Sequence, residues 1–333
     1  MGLQEHPILV VGGAGYIGSH TVKNLRKSGF LVFVLDDFST GHEKLANAAL
    51  GFDASKLYRG SSANESLVTD VLKKLKIHTV YHFAARAWVG ESVQNPMLYY
   101  QRNVADTISL LQTMLANGVK NFVFSSTCAV YGAPTVARID ENQPKVPINP
   151  YGKSKLMVEE IVRDLSTAHG LNAAVLRYFN AAGADLDGEL GELHDPETHL
   201  IPNAIKSALD PSLKLTVFGN DYPTEDGSCV RDYIHIEDLA NAHKLAMLHI
   251  WKNSGLHDFN LGTESGASVF EVLAAIEKHH GKKVAYALGA RRPGDPPLLV
   301  GNSTKAHSVL QWKAEHGLDS IIQSAYRWHK NQY

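Results

Sequence analysis

Three glycines spaced three residues apart directly follow the first apolar run of the chain. The run is Ile8–Val11, and the glycines are Gly12, Gly15 and Gly18. Such a segment predicts a strand, a tight turn and a helix. The first glycine permits the turn, the second lets the backbone approach a phosphate, and the third lets the helix pack closely on its strand. Because backbone N–H groups at the start of that helix face an anion, the segment predicts a pyrophosphate site.

An acidic residue ends the second apolar run. Leu31–Leu35 is followed by Asp36, which stands at about the distance from the glycines at which a carboxylate hydrogen-bonds a ribose 2′-hydroxyl. A glycine turn without a ligand would not need this acid. The combination favours NAD over NADP as the cofactor.

Composition and charge exclude several other classes of protein. The chain has 333 residues, which suits a doubly wound domain with a smaller second one. A net charge of −2 gives no indication of nucleic-acid binding. The chain has only two cysteines, Cys128 and Cys229, so a disulfide framework is not expected. We therefore expect a reducing compartment, the cytoplasm. No stretch is long enough to span a bilayer, and no membrane partner is expected.

Apolar runs alternate with helical patterns through the first half of the chain. This alternation predicts an α/β fold, a Rossmann-type doubly wound parallel sheet covered by helices on both faces. The predicted strands are Ile8–Val11, Leu31–Leu35, Thr79–Phe83, Asn121–Ser125 and Ala173–Arg177. The predicted helices are Tyr16–Ser28, Glu65–Leu75 and one that begins at Asn95-Pro96 and runs to about Asn117.

The pattern changes after Asn180. A polar loop over Gly183–Thr198 precedes a helix over Pro202–Leu209. We therefore expect an NAD-binding Rossmann domain over residues 1–180 and a smaller C-terminal α/β region over 181–333 that mainly binds substrate. Two later segments near 234–262, Ile234–Ile236 and Phe259–Leu261, are predicted strands that rejoin the first sheet.

A tyrosine and a lysine four residues apart carry the predicted chemistry. Tyr151 and Lys155 follow a helix start at Asn149-Pro150, and this spacing puts both side chains on one helix face. A phenol with a pKa near ~10 is a poor base at neutral pH, but a neighbouring ammonium stabilises the phenolate and lowers that pKa. Thr127 ends a predicted strand, where ligands bind in open α/β sheets. We expect Thr127 to hydrogen-bond a substrate hydroxyl.

Segments spread over nearly the whole chain match one family of enzymes. They are GGAGYIGSH at 12–20, VGESVQ at 89–94, NFVFSS at 121–126, YGKSK at 151–155, LRYFN at 176–180, FGNDYPTEDG at 218–227 and VRDYIH at 230–235. The last two are the most specific. In these segments the chain resembles the UDP-sugar 4-epimerases of the extended short-chain dehydrogenase/reductase family.

The resemblance implies an isomerase with tightly bound NAD. Tyr151 would take the proton from the 4-hydroxyl of the sugar while hydride passes from C4 to the nicotinamide, and Lys155 would bond the nicotinamide ribose. The 4-keto sugar would then swing about its pyrophosphate and receive the hydride on its other face. The implied reaction is the interconversion of UDP-glucose and UDP-galactose.

The resemblance also implies two sets of binding residues and a homodimer. The implied cofactor-binding residues are Gly12, Gly15, Tyr16, Ile17, Gly18, Asp36, Phe83, Ala84, Asn103, Ser125, Tyr151, Lys155 and Tyr178. The implied UDP-sugar-binding residues are Thr127, Tyr151, Asn180, His199, Leu200, Thr216, Phe218, Arg231, Tyr233, Arg292, Asp295 and Leu299. Similar enzymes pair the helices around 95–117 and 151–168 between two copies. No metal-ligand spacing is found, so no metal is expected.

Other interpretations stay open. The sugar could be a UDP-N-acetylhexosamine, since Leu299 replaces a tyrosine that some members carry beside it, or UDP-xylose or UDP-arabinose. A sugar-nucleotide dehydratase would need an Asp-Glu pair after Thr127, where this chain has Cys128-Ala129. A non-catalytic NAD-sensing protein would not need Thr127, Tyr151 and Lys155, all of which this chain has. A UDP-glucuronate decarboxylase would need a partner for the substrate carboxylate, and none is identified.

Overall fold

The chain folds into strands and helices that alternate through its first half, as a computed structural model describing residues 3–292 and 295–332 shows. The strands are β1 (Ile8–Val11), β2 (Val32–Asp36), β3 (Leu57–Arg59), β4 (Thr79–His82), β5 (Asn121–Thr127), β6 (Asn172–Tyr178), β7 (Asn180–Ala182), β8 (Leu215–Phe218), β9 (Val230–Arg231), β10 (Tyr233–His235), β11 (Leu256–Leu261), β12 (Ala267–Ser268), β13 (Tyr286–Gly289) and β14 (Leu298–Leu299). The α-helices are α1 (Tyr16–Lys27), α2 (Glu43–Ala49), α3 (Glu65–Leu75), α4 (Val89–Gln94), α5 (Pro96–Tyr99), α6 (Asp106–Ala116), α7 (Pro150–His169), α8 (Leu200–Leu209), α9 (Ile236–Ile250), α10 (Val269–His280), α11 (Thr304–Leu310) and α12 (Leu318–Lys330).

Seven strands form the main sheet, in the order β11-β6-β5-β4-β1-β2-β3. Strand β1 lies inside this sheet, pairs in parallel with both β2 and β4, and is buried along its whole length. The chain therefore winds outward from β1 in both directions, which confirms the Rossmann-type α/β prediction. The predicted strands of the first half end within two residues of the observed ones. Strand β3 was not predicted, because its three residues are only partly buried at the sheet edge.

The helix predicted from Asn95 begins where predicted but is less regular. Asn95 occupies the N-cap position and Pro96 begins the helix, although the Asn95 side chain makes no capping hydrogen bond. Helix α5 is followed directly by a π-helical turn over Tyr100–Ala105, and α6 follows that turn without a break. The turn places Asn103 in a buried position. By contrast, Asn149 does cap α7, accepting a hydrogen bond from the Gly152 amide at 2.8 Å.

The chain divides into two compact units. The first comprises residues 3–132, 144–177 and 240–259, and the second comprises 133–143, 178–239 and 260–332. The core of the second unit forms where α8, α10 and α12 pack their apolar faces together through fully buried residues such as Ile205, Val272 and Ile322. Among the described helices, none is both long and apolar enough to cross a membrane.

The two late strands behave differently from each other. Phe259–Leu261 lies in β11 at the edge of the main sheet, as predicted. The prediction that Ile234–Ile236 rejoins that sheet is wrong. Strand β10 instead pairs in parallel with β7, register Tyr233 to Asn180, because β11 already occupies the edge beside β6.

A buried charge pair fixes α7 to the sheet of the first unit. The Arg177 guanidinium on β6 donates to both carboxylate oxygens of Glu159 on α7, at 2.9 and 2.8 Å, and both side chains are 1% exposed. Arg177 also contacts Asp258 on β11 at 2.9 Å and donates to the Tyr131 hydroxyl at 2.9 Å. The Ser126 hydroxyl at the end of β5 donates to Glu159 at 2.6 Å. Removing one partner would leave a buried charge uncompensated.

We expect Arg177→Met to lower the free energy of unfolding by about 3–5 kcal/mol, the cost of breaking a buried pair from one side. The matched control is Lys56→Met, which removes an exposed pair with Asp53 at 3.1 Å and should cost at most about 1 kcal/mol. Urea unfolding followed by circular dichroism measures both. Equal losses in the two variants would contradict a structural role for the buried pair.

Candidate active site

The glycine turn after β1 leaves an open space beside Gly15. Gly12 has φ +83°, and a Cβ there would lie 2.3 Å from the Ala84 amide nitrogen, so the turn needs glycine. A Cβ on Gly18 would lie 2.2 Å from the Gly12 carbonyl oxygen, which shows how closely α1 meets β1. A Cβ on Gly15 would have no neighbour nearer than 3.5 Å. The protein's own packing therefore does not require Gly15, and the space beside it fits a phosphate at the start of α1.

Asp36 ends β2 and is held by backbone amides. The Ala14 amide donates to one carboxylate oxygen at 2.9 Å and the Phe38 amide donates to the other at 2.8 Å. Burial raises the pKa of the Asp36 carboxyl, and the same two amides oppose that shift. Each oxygen keeps a further lone pair, so the carboxylate can also accept a ribose hydroxyl. The turn and Asp36 together fit the dinucleotide that the sequence predicts.

Thr127 and Tyr151 meet because α7 begins very close to the turn that follows β5. A Cβ on Gly152 would lie 2.5 Å from the Ala129 carbonyl oxygen, so only glycine permits this approach. Burial raises the pKa of Tyr151, and the nearby Thr127 hydroxyl opposes that shift. The same hydroxyl accepts a hydrogen bond from the Ala129 amide at 3.1 Å. The Tyr99 ring packs edge-on against the Tyr151 ring, with 6.4 Å between centroids. The tyrosine is thus fixed at the carboxyl end of β5.

Lys155 lies one turn beyond Tyr151 on α7 and is almost completely buried. Its ammonium donates to the Ser125 carbonyl at 2.8 Å and lies 4.9 Å from the centre of the Phe124 ring. Burial lowers the pKa of Lys155 to about 7 and raises the pKa of Tyr151 to about 12. Lys155 is not among the groups that shift the Tyr151 pKa in the protein alone. The expectation that it lowers that pKa stays a prediction for the cofactor-bound protein.

Asn103 connects the lysine helix to the loop after β4. Its amide donates to the Arg86 carbonyl and to the Ser154 hydroxyl, both at 3.0 Å, and accepts from the Arg86 amide at 2.8 Å. All three contacts are with the protein itself. This loop contains Phe83 and Ala84, whose amides donate to the Val11 carbonyl at 2.8 and 3.2 Å.

The remaining predicted cofactor residues lie on these same elements. Tyr16 and Ile17 are the first residues of α1, and Ser125 is buried near the end of β5. Tyr178 is the last residue of β6 and belongs to the second unit.

The second unit brings four predicted UDP-sugar residues into two pairs. Arg231 forms an ion pair with Asp295 and donates to the Val230 carbonyl at 2.7 Å. The Arg292 guanidinium lies 4.1 Å from the centre of the Phe218 ring. Burial raises the pKa of Cys229, a half-buried neighbour, and the charges of both arginines oppose that shift. The sequence analysis did not identify this cysteine as a site residue.

Other predicted residues of this unit lie nearby on paired strands. Leu299 stands opposite Arg231 where β14 pairs with β9, and Tyr233 stands opposite Asn180 where β10 pairs with β7. Thr216 is exposed on β8, two residues before Phe218. Leu200 is the first residue of α8.

The loop before α8 contains a cluster that the sequence analysis missed. Glu192, His194, Glu197 and His199, hereafter the loop cluster, bring their nitrogen and oxygen ligand atoms within 4.8 Å of one another. Desolvation lowers the pKa of His199, but the Glu192 and Glu197 carboxylates outweigh it and raise that pKa to about 10. The expectation that the chain has no metal-ligating arrangement does not hold for these side chains. The sequence feature that could have indicated this cluster is the pattern E-x-H-x-x-E-x-H over residues 192–199.

The sequence and the fold of this chain are similar to those of many known proteins. Residues 8–262 match the NAD dependent epimerase/dehydratase family. The chain is 48% identical to a UDP-glucose 4-epimerase of Lactobacillus helveticus over 97% of both chains. It is also similar to the crystal structure of a UDP-glucose 4-epimerase from Brucella ovis in complex with NAD, with 44% identity, a TM-score of 0.92 and coverage of 96% and 97%. The UDP-glucose 4-epimerase from Bifidobacterium longum in complex with NAD+ and UDP gives 38% identity, a TM-score of 0.93 and coverage of 98% of each chain.

We expect Gly15→Ala to fold normally but to bind NAD roughly 10- to 100-fold more weakly. The added methyl meets no protein atom closely, whereas overpacking a phosphate contact costs about 1–3 kcal/mol. The measurements are the NAD released from purified, heat-denatured protein and the thermal unfolding midpoint. Gly90→Ala is the control, since its methyl would have no neighbour within 4 Å. Unchanged NAD content in Gly15→Ala would contradict the phosphate assignment.

Proposed function

The chain belongs to the NAD dependent epimerase/dehydratase family, and from this premise we propose that it is an isomerase that interconverts UDP-glucose and UDP-galactose. The single observation that carries the proposal is the position of the Tyr151 phenol near the Thr127 hydroxyl at the end of β5, one helical turn from buried Lys155. The glycine turn and Asp36 supply the matching cofactor site. The curated relative and the solved structures similar to this chain support the same reaction.

Tyr151 acts in this proposal as the base that receives the proton of the sugar 4-hydroxyl. Thr127 is positioned to hydrogen-bond the same hydroxyl and keep it in line with the phenol. Bound NAD supplies reversible hydride exchange with C4 and, in its oxidised form, a positive charge beside the buried phenol. Burial raises the pKa of Tyr151 to about 12, so a positive charge nearby is what would bring that pKa towards neutrality. Lys155 is held close to the helix start by Ser125 and can bond a ribose hydroxyl.

Tight nucleotide binding with a loosely held sugar is the second requirement of the proposal. Arg231 and Arg292 offer planar donors suited to the pyrophosphate oxygens. Asp295 holds the Arg231 side chain in place, and Phe218 does the same for Arg292 through its ring. Asn180, His199, Leu200, Thr216, Tyr233 and Leu299 complete the proposed set around the nucleotide and sugar.

The rival reactions have less support. A dehydratase would require an acid pair directly after Thr127, and the segment Cys128–Tyr131 that follows contains none. A protein that only senses NAD would not need a buried tyrosine and lysine beside the Thr127 hydroxyl at the end of β5. Tolerance of a 2-acetamido group remains a proposal that rests on Leu299, whose side chain is shorter than tyrosine.

We also propose that the protein is a homodimer that pairs α7 with the same helix of a second copy. An apolar groove of about 470 Å³ runs along the outer side of α7. It is lined by Val104, Pro147, Lys153, Leu156, Met157, Glu160 and Ile161. Met157 is 45% exposed, and the apolar side chains of Val146 and Ile148 nearby are more than half exposed. An apolar surface of this kind on a helix favours burial against a partner, and the family resemblance identifies the partner as a second copy.

We expect purified protein to interconvert UDP-glucose and UDP-galactose without added NAD, and Tyr151→Phe to lower the rate roughly 100- to 10,000-fold while UDP still binds. Loss of a general base has this typical cost. A chromatographic assay of both UDP-sugars, extended to the N-acetyl sugars, measures turnover, and calorimetry measures UDP affinity. Tyr286→Phe, an exposed tyrosine on β13, should behave as wild type. Net NADH accumulation, a 6-deoxy-4-keto product, or full activity of Tyr151→Phe would each refute the mechanism.

We expect Met157→Glu to convert the dimer into a monomer at micromolar concentration, because it places a charge on the apolar groove. Light scattering after size-exclusion chromatography measures the mass. The control is Leu213→Glu, which alters an equally exposed apolar residue of the second unit and should leave the dimer intact. A dimer that survives Met157→Glu, or a wild-type monomer, would exclude this interface.

A further inference from the structure

The loop cluster brings four ligand atoms of two kinds to one point. The Nδ1 atoms of both histidines face the same carboxylate oxygen of Glu192, at 3.1 Å for His194 and 2.5 Å for His199. Glu197 closes the other side, 3.4 Å from His199 Nδ1 and 3.8 Å from His194 Nδ1. The two imidazole rings lie with centroids 5.1 Å apart. Two nitrogens and two carboxylates therefore surround a single small volume.

We propose that the loop cluster binds one divalent transition-metal ion, and that Zn²⁺ is the ion it fits best. Zinc takes four ligands in a tetrahedron, with bonds of about 2.0–2.2 Å to histidine nitrogen and carboxylate oxygen. Ligand atoms at such bond lengths lie about 3.3 Å from one another. Three of the four nitrogen-to-oxygen distances lie between 3.1 and 3.8 Å. The fourth, from His199 Nδ1 to Glu192, is 2.5 Å and would have to lengthen by about 1 Å for zinc to bind.

The ligand types and their charges select the class of ion. Imidazole nitrogen favours zinc, copper, iron and nickel, whereas magnesium and calcium take oxygen ligands. Two carboxylates and two neutral imidazoles carry a charge of −2, which a divalent ion balances. Glu192 is 4% exposed and the Glu197 side chain is 3% exposed. Buried carboxylates need a compensating positive charge, and a bound ion would supply it in place of the proton that His199 otherwise shares with Glu192.

The backbone around the loop cluster is held independently of any ion. The Trp328 indole on α12 donates to the Glu192 carbonyl at 3.0 Å. The amides of Thr198 and His199 donate to one oxygen of the Glu197 carboxylate at 2.8 and 2.9 Å. The ligands are thus presented by a loop of defined shape, and little ordering would be required when the ion binds.

Because of where the loop cluster lies, a bound ion would stabilise the loop that leads into α8. His199 directly precedes α8, and Leu200 is the first residue of that helix. Both residues belong to the proposed UDP-sugar set, so an ion here would fix the end of the loop that carries them. This consequence rests on the proposed function. The binding of the metal itself does not.

The test is stoichiometric binding of Zn²⁺ to the 333-residue chain after treatment with a chelator. We expect one zinc ion per chain by elemental analysis, and competition with a chromophoric chelator gives its affinity. Glu192→Gln and His194→Ala should each weaken binding about 100-fold or more, since loss of an outer-sphere partner alone costs 10- to 100-fold. Mg²⁺ at millimolar concentration should not displace the zinc.

The control is His257→Ala, which removes one histidine of a pair that lacks carboxylates, with His249 Nε2 at 3.2 Å from His257 Nδ1. This variant should bind zinc as wild type does. Circular dichroism and bound NAD verify folding, and the partly exposed His194 provides a variant that does not disturb the core. If the stripped protein takes up no stoichiometric zinc, or if both loop variants retain wild-type affinity, the cluster is held by shared protons and the proposal is wrong. Because the readout is metal content, an inactive protein that binds zinc would refute the proposed function alone.

Discussion

The position of α7 depends on a buried charge pair. Arg177 and Glu159 connect this helix to β6, and Ser126 connects the same carboxylate to β5. The pair therefore fixes the position of α7 along two adjacent strands. In this position Gly152 packs against the Ala129 carbonyl, and the Tyr151 phenol lies near the Thr127 hydroxyl. Coulombic attraction between two desolvated groups, rather than apolar packing alone, thus sets the register of the residues proposed to react.

The parts of the fold and site that the sequence predicted are those with strong local signals. The spacing of the turn glycines, the acid that ends the second apolar run, and the Asn149-Pro150 start of α7 are signals within a few residues of sequence, and the structure has the predicted local conformation at each. Buried parallel strands read as continuous apolar runs, so their bounds were also found. The roles of individual site residues remain predictions, because contacts with a ligand are not visible in the protein alone.

The features that sequence reasoning missed depend on distant parts of the chain. Asn95 occupies the N-cap position of α5, but its side chain makes no capping hydrogen bond there. Strand β10 has a suitable pattern for the main sheet, yet the edge it would need belongs to β11. The pKa values of Tyr151 and Lys155 follow from burial, which helical spacing does not reveal. The loop cluster lies on a segment without helical or strand periodicity, so only its alternating residue types could have indicated it.

The π-helical turn over Tyr100–Ala105 has a consequence for how this chain can vary. A π turn contains one residue more than the α-helical turn it replaces, so every position after it is rotated relative to those before it. Asn103 faces inward because of this extra residue, while Val104 lines the outer groove. Removing a single residue from the turn would rotate every later position of the helix by about 100° relative to the earlier ones. A deletion here would therefore disturb the packing of α6, whereas a substitution would not.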